Sequence, residues 1–180
     1  MSITTRNGDK GRTRLFSGQD VSKADLAPRA YGALDEAVSV LGIARSLTDS
    51  ESLAEHLLYI QNASFEVGAE LATHPDDVAR KRRRVDEAFV AILDKMRDDL
   101  EAVTPIPKDF VIPGGNPVAA HLDHARCVYR RCEQEATALW NADFLKNPLV
   151  LVWLNRVSDH LWLLARQMEG KAVIPRRSLK

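Results

Sequence analysis

The segment at residues 4–13, TTRNGDKGRT, has the residue types that most directly suggest chemistry. It contains two glycines, three threonines and three cationic side chains, and no apolar side chain that could join a core. Backbone amides of a glycine-rich turn and neighbouring cations bind phosphate oxygens well. The segment is not a Walker A loop, because Gly8 and Gly11 are too close together and Lys10 precedes the second glycine. We therefore expect it to wrap around a group that carries negative charge.

A second set of polar residues lies within segments whose apolar residues recur with helical periodicity. A buried charge is costly unless it is paired, so these side chains should meet one another, a subunit partner or a ligand. The alternative is a solvated face of intrahelical ion pairs, and spacing alone leaves both interpretations open. The cationic segment at residues 4–13 favours the first interpretation, because together with the helix arginines it could form a phosphate-binding site. The residues are Asp35, Glu36, Arg126, Arg130, Arg131, Glu133, Asn155, Asp159 and Arg166.

Composition limits the kind of protein that this chain can be. Its 180 residues suit a single domain over residues 1–180, and 45% apolar with 28% charged residues is typical of a soluble globular fold. Because the net charge is zero, we expect no overall electrostatic attraction of the chain to nucleic acid or to a lipid surface. We find neither a membrane-spanning run nor a signal-peptide core, and expect a cytoplasmic protein. Cys127 and Cys132 are poorly spaced for a disulfide on one helix and are expected to be reduced core thiols.

Two local patterns suggest other functions but carry little weight. The basic run RKRRR at residues 80–84 is flanked by acidic residues and has no interleaved aromatic residue, so we expect no nucleic-acid partner. His121, Asp123 and His124 resemble part of a metal site, but two histidines three residues apart without a third nearby ligand are a weak pattern. We predict no metal site formed by protein ligands.

The pattern after residue 25 is helical almost throughout. Pro28 can open the first helix, a stripe of Val85, Phe89, Ile92, Met96 and Leu100 marks the third, and a loop rich in proline and glycine precedes the fourth. Short connections predict an all-α fold, a five-helix antiparallel bundle with an extended N-terminal loop. The other four helices are predicted at residues 28–47, 51–73, 118–140 and 148–168.

Six segments carry a resemblance to a known family: TRNGDKGRT, AYGALDE, GAELAT, FVIPGG, ARCVYRRCE and LNRVSDHLWLLAR. In this order and spacing, over roughly residues 3–168, they resemble the corrinoid adenosyltransferases of the propanediol-utilisation type. The resemblance implies transfer of the 5′-deoxyadenosyl group of ATP to the cobalt of cob(I)alamin, with Mg²⁺ and release of triphosphate. It also implies a homotrimer with ATP bound between subunits. The implied partners are a reductase and an enzyme that depends on adenosylcobalamin.

The resemblance also implies roles for individual residues. It implies that the N-terminal loop binds the nucleotide. It implies that Asp35 and Arg126 form an intersubunit salt bridge that shapes the site. It places Phe110 near the lower face of the corrin. Attack by Co(I) needs little acid–base chemistry from the protein, which must mainly position the substrates and neutralise the leaving triphosphate. The implied nucleotide-binding residues are Thr5, Arg6, Asn7, Gly8, Thr13, Arg14, Lys23, Arg130, Arg131, Glu133, Gln134 and Asn155.

A function of a different class is compatible with the same sequence features. A bundle with the same binding sites could act without catalysis, as a carrier or sensor of ATP and corrinoid. Intact phosphate ligands and Phe110 favour the enzyme.

Overall fold

Five α-helices and one small β-hairpin form the computed structural model of this chain, which describes residues 4, 6, 8–77, 84–170 and 173–175. The prediction of an all-α five-helix bundle is confirmed. The elements are β1 (Arg12–Arg14), β2 (Asp20–Ser22), α1 (Leu26–Leu47), α2 (Glu51–Leu71), α3 (Glu87–Glu101), α4 (Pro117–Asn141) and α5 (Pro148–Glu169).

Side-chain caps fix where four of the helices begin. Asn116 accepts a hydrogen bond from the Ala119 amide at 2.9 Å, and Asn147 accepts one from the Leu149 amide at 3.2 Å. Each of these two asparagines is followed by a proline, which needs no amide partner in the first turn. Ser50 and Asp86 cap α2 and α3 in the same way. The predicted starts of α2 and α5 are correct, and that of α4 is correct within one residue.

The N-terminal part contains a β-hairpin that the sequence did not predict. β1 and β2 are antiparallel, with Thr13 opposite Val21 and Arg14 opposite Asp20. Leu15 is buried and Val21 packs against the core, so these two apolar residues attach the polar N-terminal segment to the bundle. Strands of three residues are too short to show a periodic pattern, which explains why the sequence indicated only a loop.

The core lies between the helices. The way the helices pair brings together the elements that carry the candidate site residues. α1 packs against α4 and α2, and α5 packs against α4 and α3. The Tyr129 hydroxyl lies 2.6 Å from Ser64 Oγ, which also donates to the Ile60 carbonyl, so α4 and α2 share a satisfied polar contact inside the core. None of the described helices is both long and apolar enough to cross a membrane.

The buried face of α3 differs from the predicted stripe. The helix begins only at Glu87, and Ile92, which the heptad pattern placed inside, is 49% exposed. Val90 and Leu93 are buried instead. Of the predicted stripe, Val85 and Leu100 are buried, but Val85 precedes the helix and donates its amide to Glu70 Oε1 at 2.7 Å, so it does not belong to the buried face of α3.

The two cysteines have different environments. Cys132 is buried, and burial raises the pKa of its thiol to about 12, whereas Cys127 is exposed. Both are free, as expected, but the prediction of two core thiols was wrong for Cys127. Five residues along a helix correspond to a rotation of about 140°, so the two side chains cannot share one buried face.

A buried histidine gives the fold a specific dependence on pH. His160 has no exposed surface, and its Nε2 lies 3.1 Å from His56 Nε2. Burial, with the positive charge of His56 and Arg97, lowers the pKa of His160 to about 3. Between pH 6.5 and 3 the unfolded chain therefore binds a proton that the folded chain does not, and the free energy of unfolding decreases as the pH falls. We expect this group to contribute a slope approaching about 1.4 kcal/mol per pH unit.

Chemical denaturation at pH 7, 6 and 5 tests this dependence. His160→Gln should flatten the slope, whereas His124→Gln, a change at an exposed site on α4, should not. Equal slopes for wild type and His160→Gln would show that His160 is not the group that titrates.

Candidate functional site

The polar residues of α1 and α4 form ion pairs between the two helices. Glu36 pairs with Arg131, and Arg29 Nη2 lies 2.7 Å from Glu135 Oε1. These pairs are at least partly solvated and cross between helices, so the alternative of purely intrahelical pairs was wrong here. Arg131, which was predicted to hold phosphates, already has a carboxylate partner within the protomer.

Arg130 differs from Arg131 in having no carboxylate partner among the described residues. Its side chain is exposed, and no ion pair joins it to any residue that the structure describes. Gln134 lies one turn further on the same face of α4 and is also exposed. The guanidinium group of Arg130 is therefore accessible to a ligand on this face of α4.

The fifth helix contributes Asn155 beside this face. Its amide nitrogen donates to Glu133 Oε1 at 3.4 Å, and its oxygen accepts from Arg156 Nη1 at 3.1 Å. The structure thus brings together two predicted nucleotide-binding residues from different helices, Glu133 and Asn155. Asp159, one turn after Asn155, is exposed.

The N-terminal segment is folded around Lys23. A Cβ atom on Gly8 would lie 2.8 Å from Lys23 Nζ, so a side chain at this position would displace the ammonium group. The Lys23 amide donates to the Gly11 carbonyl at 2.8 Å, and Gly11 has a φ of 72°, which a glycine adopts without strain. The geometry places one cation directly against the glycine-rich turn.

The cations of the hairpin fall into two groups. Arg12 is neutralised by Asp20, with Nε 2.5 Å from Oδ2. Arg14 is exposed and, like Lys23, forms no ion pair with the described part of the chain. Of the other loop residues, Arg6 is exposed with a φ of 60° and Thr13 is half-buried in β1. Thr5 and Asn7 lie outside the described residues.

The two residues assigned to an intersubunit salt bridge, Asp35 and Arg126, do not pair with each other in the part of the chain that the structure describes. Asp35 is exposed on α1 and forms no ion pair with the residues described. Arg126 Nε lies 3.3 Å from Asp123 Oδ1, one turn earlier on α4. The fold leaves Asp35 accessible to another molecule.

Phe110 stands on the loop between α3 and α4 and is 91% exposed. The loop is attached to the end of α5 and to the chain that follows it: Asn116 Nδ2 donates to the Met168 carbonyl of α5 at 2.6 Å, and the Ile112 amide donates to the Val173 carbonyl at 2.8 Å. An exposed aromatic ring on an anchored loop can meet a large apolar ligand.

A buried charge network near this loop was not predicted. Arg166 Nη2 lies 2.5 Å from Asp123 Oδ2 and 3.0 Å from Glu169 Oε1, and both pairs are almost fully buried. Asp123 had been considered only with His121 and His124 as a weak metal pattern. The described residues contain no group of three potential metal ligands. The spacing of Arg166 and Glu169, three apart on one helix, was the available signal.

Most of the basic run at residues 80–84 lies outside the described residues. Arg84 is the one member of the run that the structure describes. Arg84 Nη1 bonds to Glu66 Oε2 at 2.7 Å, and its backbone amide donates to Glu70 Oε1. Arg84 is thus part of a surface ion pair.

Comparison with known proteins identifies the family. The model of the cobalamin adenosyltransferase family matches residues 3–168, most of the chain. The chain belongs to the cobalamin adenosyltransferase family. It is 36% identical over 164 residues to a corrinoid adenosyltransferase of Citrobacter freundii, covering 91% of this chain and 93% of that protein. It is 34% identical over 178 residues to a corrinoid adenosyltransferase of Bacillus subtilis, covering 97% and 90%.

Solved structures of family members have the same fold. One is a phenylalanine-to-histidine variant of a PduO-type ATP:corrinoid adenosyltransferase from Lactobacillus reuteri, complexed with cobalamin and ATP. It superimposes with a TM-score of 0.90 at 32% identity, covering 98% of this chain and 97% of that chain. An arginine-to-lysine variant from the same organism, complexed with ATP, has a TM-score of 0.89 at 33% identity, covering 97% and 100%. The resemblance inferred from six short segments is confirmed.

Proposed function

We propose that this chain transfers the 5′-deoxyadenosyl group of ATP to the cobalt of cob(I)alamin, forming adenosylcobalamin and releasing triphosphate. The observation that carries the proposal is the glycine-rich turn with Lys23 against Gly8, in a member of this family. Its relatives from Citrobacter freundii and Bacillus subtilis are corrinoid adenosyltransferases, and a similar solved structure holds both ATP and cobalamin.

The nucleotide site that we propose combines the N-terminal loop with α4 and α5. Arg14, Lys23 and Arg130 support it best, because they are cations without a carboxylate partner in the described part of the chain. Arginine forks and a lysine can neutralise a triphosphate as it leaves. The remaining proposed contacts are Thr5, Arg6, Asn7, Gly8, Thr13, Arg131, Glu133, Gln134 and Asn155.

The chemical step is an in-line displacement. The electron pair of Co(I) forms the bond to the 5′-carbon while the bond from that carbon to the triphosphate oxygen breaks, and the triphosphate keeps those electrons. The protein therefore contributes positioning and charge neutralisation rather than acid–base catalysis. Phe110, in our proposal, excludes water and the lower base from cobalt, which makes the reduction of Co(II) to Co(I) easier.

Mg²⁺ is proposed as a companion of ATP. The absence of a three-ligand metal group among the described residues fits an ion that is held mainly by the triphosphate oxygens and water. When bound, the ion reduces the negative charge that Arg130 and Lys23 must neutralise.

We further propose a homotrimer in which Asp35 pairs with Arg126 of a neighbouring copy. Asp35 is exposed and has no ion pair within the described chain, and Arg126 is only half-buried beside Asp123. Light scattering at micromolar concentration with ATP should give about three times the 20.1 kDa chain mass. Asp35→Arg should shift the protein towards smaller species, while Asp49→Arg, at an exposed site before α2, should not. A wild-type monomer would refute the trimer.

The cellular context is also a proposal. We place the chain in the cytoplasm as a single domain over residues 1–180, without a nucleic-acid or membrane partner. A reductase would deliver the electron to cobalt, and an adenosylcobalamin-dependent enzyme would take the product.

One assay tests the proposed activity. The protein is mixed without oxygen with ATP, Mg²⁺ and chemically reduced cob(I)alamin, and the corrinoid absorbance is followed together with triphosphate release. We expect adenosylcobalamin and triphosphate in equal amounts. Binding of ATP and corrinoid without product would favour a carrier or sensor.

A further inference from the structure

The position of Phe110 depends on the loop that carries it, because the ring itself has little packing of its own. One of the loop's attachments is the Gly115 amide, which lies 3.4 Å from Glu169 Oε1. The contact is close: a Cβ atom on Gly115 would lie 2.8 Å from Glu169 Cγ. The Glu169 side chain is only 1% exposed, so it cannot move away into solvent.

Glu169 is in turn fixed by a buried arginine. Arg166 Nη2 bonds to Glu169 Oε1 at 3.0 Å, and Arg166 Nε forms an ion pair with Oε2 at 2.9 Å that is poorly aligned for a hydrogen bond. The guanidinium carbon also lies 5.3 Å from the centre of the Trp162 ring. Arg166 is thus held between the Glu169 carboxylate and the Trp162 ring.

The same arginine reaches α4. Arg166 Nη2 bonds to Asp123 Oδ2 at 2.5 Å, and Asp123 Oδ1 lies 3.3 Å from Arg126 Nε. A continuous series of polar contacts therefore runs from Gly115, through Glu169, Arg166 and Asp123, to Arg126. It joins the loop of Phe110 to the arginine that we assign to the subunit interface.

We propose that Arg166 and Glu169 are positioning residues for adenosyl transfer, which hold the Phe110 loop in a fixed relation to Arg126. The inference rests on the function proposed above. Two buried carboxylates that share one buried arginine are costly to assemble, and a buried charge network can specify one arrangement of packed elements. The loop that carries Phe110 is the element whose arrangement this network specifies.

Glu169→Ala tests the proposal because it releases the Gly115 amide without touching either substrate site. From cob(II)alamin and a mild reductant, we expect activity to fall by about tenfold to a hundredfold, since small misplacements of a positioning group have effects of this size. The dissociation constant of ATP should change by less than about twofold, within the range of distant, uncoupled sites. The signal of four-coordinate Co(II) should be lost. Glu169→Gln, which retains an oxygen acceptor for Gly115, should recover most of this signal.

Two further variants make the test specific. Adding Glu169→Ala to Phe110→Ala should cause little additional loss, because both act through the same ring. Glu66→Ala, which removes another carboxylate paired with an arginine, should leave activity and signal unchanged. If Glu169→Ala does not fold, Gly115→Ala replaces it, because its side chain would push against Glu169 while the backbone there has an ordinary φ.

The outcomes separate this inference from the proposed function. If wild type fails to convert cob(I)alamin, the proposed function is wrong. If wild type is active but the folded Glu169→Ala or Gly115→Ala variant keeps the full four-coordinate Co(II) signal, the positioning role is wrong. Additive losses in the double variant would also overturn it.

Discussion

Arg130→Ala is expected to lower kcat/KM for ATP by about tenfold or more. Arg130 is exposed and has no ion pair with the described part of the chain, so it is free to bond to phosphate oxygens. Hydrogen bonds to a charged group contribute about 1.5–3 kcal/mol each, and one lost bond already corresponds to this effect. The measurement is steady-state kinetics with pre-reduced cob(I)alamin at several ATP concentrations.

The controls distinguish a phosphate contact from a general effect of removing charge. Arg130→Lys keeps the charge but loses the planar fork, and should fall between wild type and Arg130→Ala. Lys23→Ala should act in the same direction as Arg130→Ala. Arg45→Ala removes an arginine from the end of α1, where it contacts Gln61, and should have no effect on kinetics. Unchanged kinetics for both Arg130→Ala and Lys23→Ala would remove them from the site.

Phe110→Ala is expected to affect reduction of cobalt much more than binding of ATP. The ring is exposed in the protomer, and covering it with an apolar ligand would contribute about 1.5–3 kcal/mol. Without the ring, water or the lower base can return to cobalt and stabilise five-coordinate Co(II). Activity from cob(II)alamin and a mild reductant should therefore fall by about tenfold to a hundredfold, the factor that corresponds to this free energy.

Supplying pre-reduced cob(I)alamin should restore much of the activity of Phe110→Ala, because the nucleophile has already been made. The spectroscopic counterpart is loss of the four-coordinate Co(II) signal in the variant with ATP bound. Phe65→Ala provides the control, since Phe65 is also exposed but lies on α2. If Phe110→Ala instead weakened ATP binding while four-coordinate Co(II) persisted, Phe110 would have to be assigned to another role.

The sequence by itself predicted the features that depend on neighbouring residues. The buried residues of α2, such as Leu57, Ile60 and Ser64, repeat at three- and four-residue spacing, and helical periodicity placed the starts of α4 and α5 within one residue. The family was also accessible, because six short segments in register were sufficient to indicate it. The residue types of the segment at residues 4–13 were sufficient to predict that it binds a negatively charged group.

Contacts between elements were decided only by the tertiary structure. The sequence listed Glu36 and Arg131 as polar residues but did not show that they pair with each other, or that Asp123 meets Arg166. Such pairs depend on the rotation and relative height of two helices. Periodicity determines neither of these, because it relates only residues on the same helix. Packing therefore determined that Arg131 is neutralised within the protomer, while Arg130, the next residue on α4, forms no ion pair with the described residues.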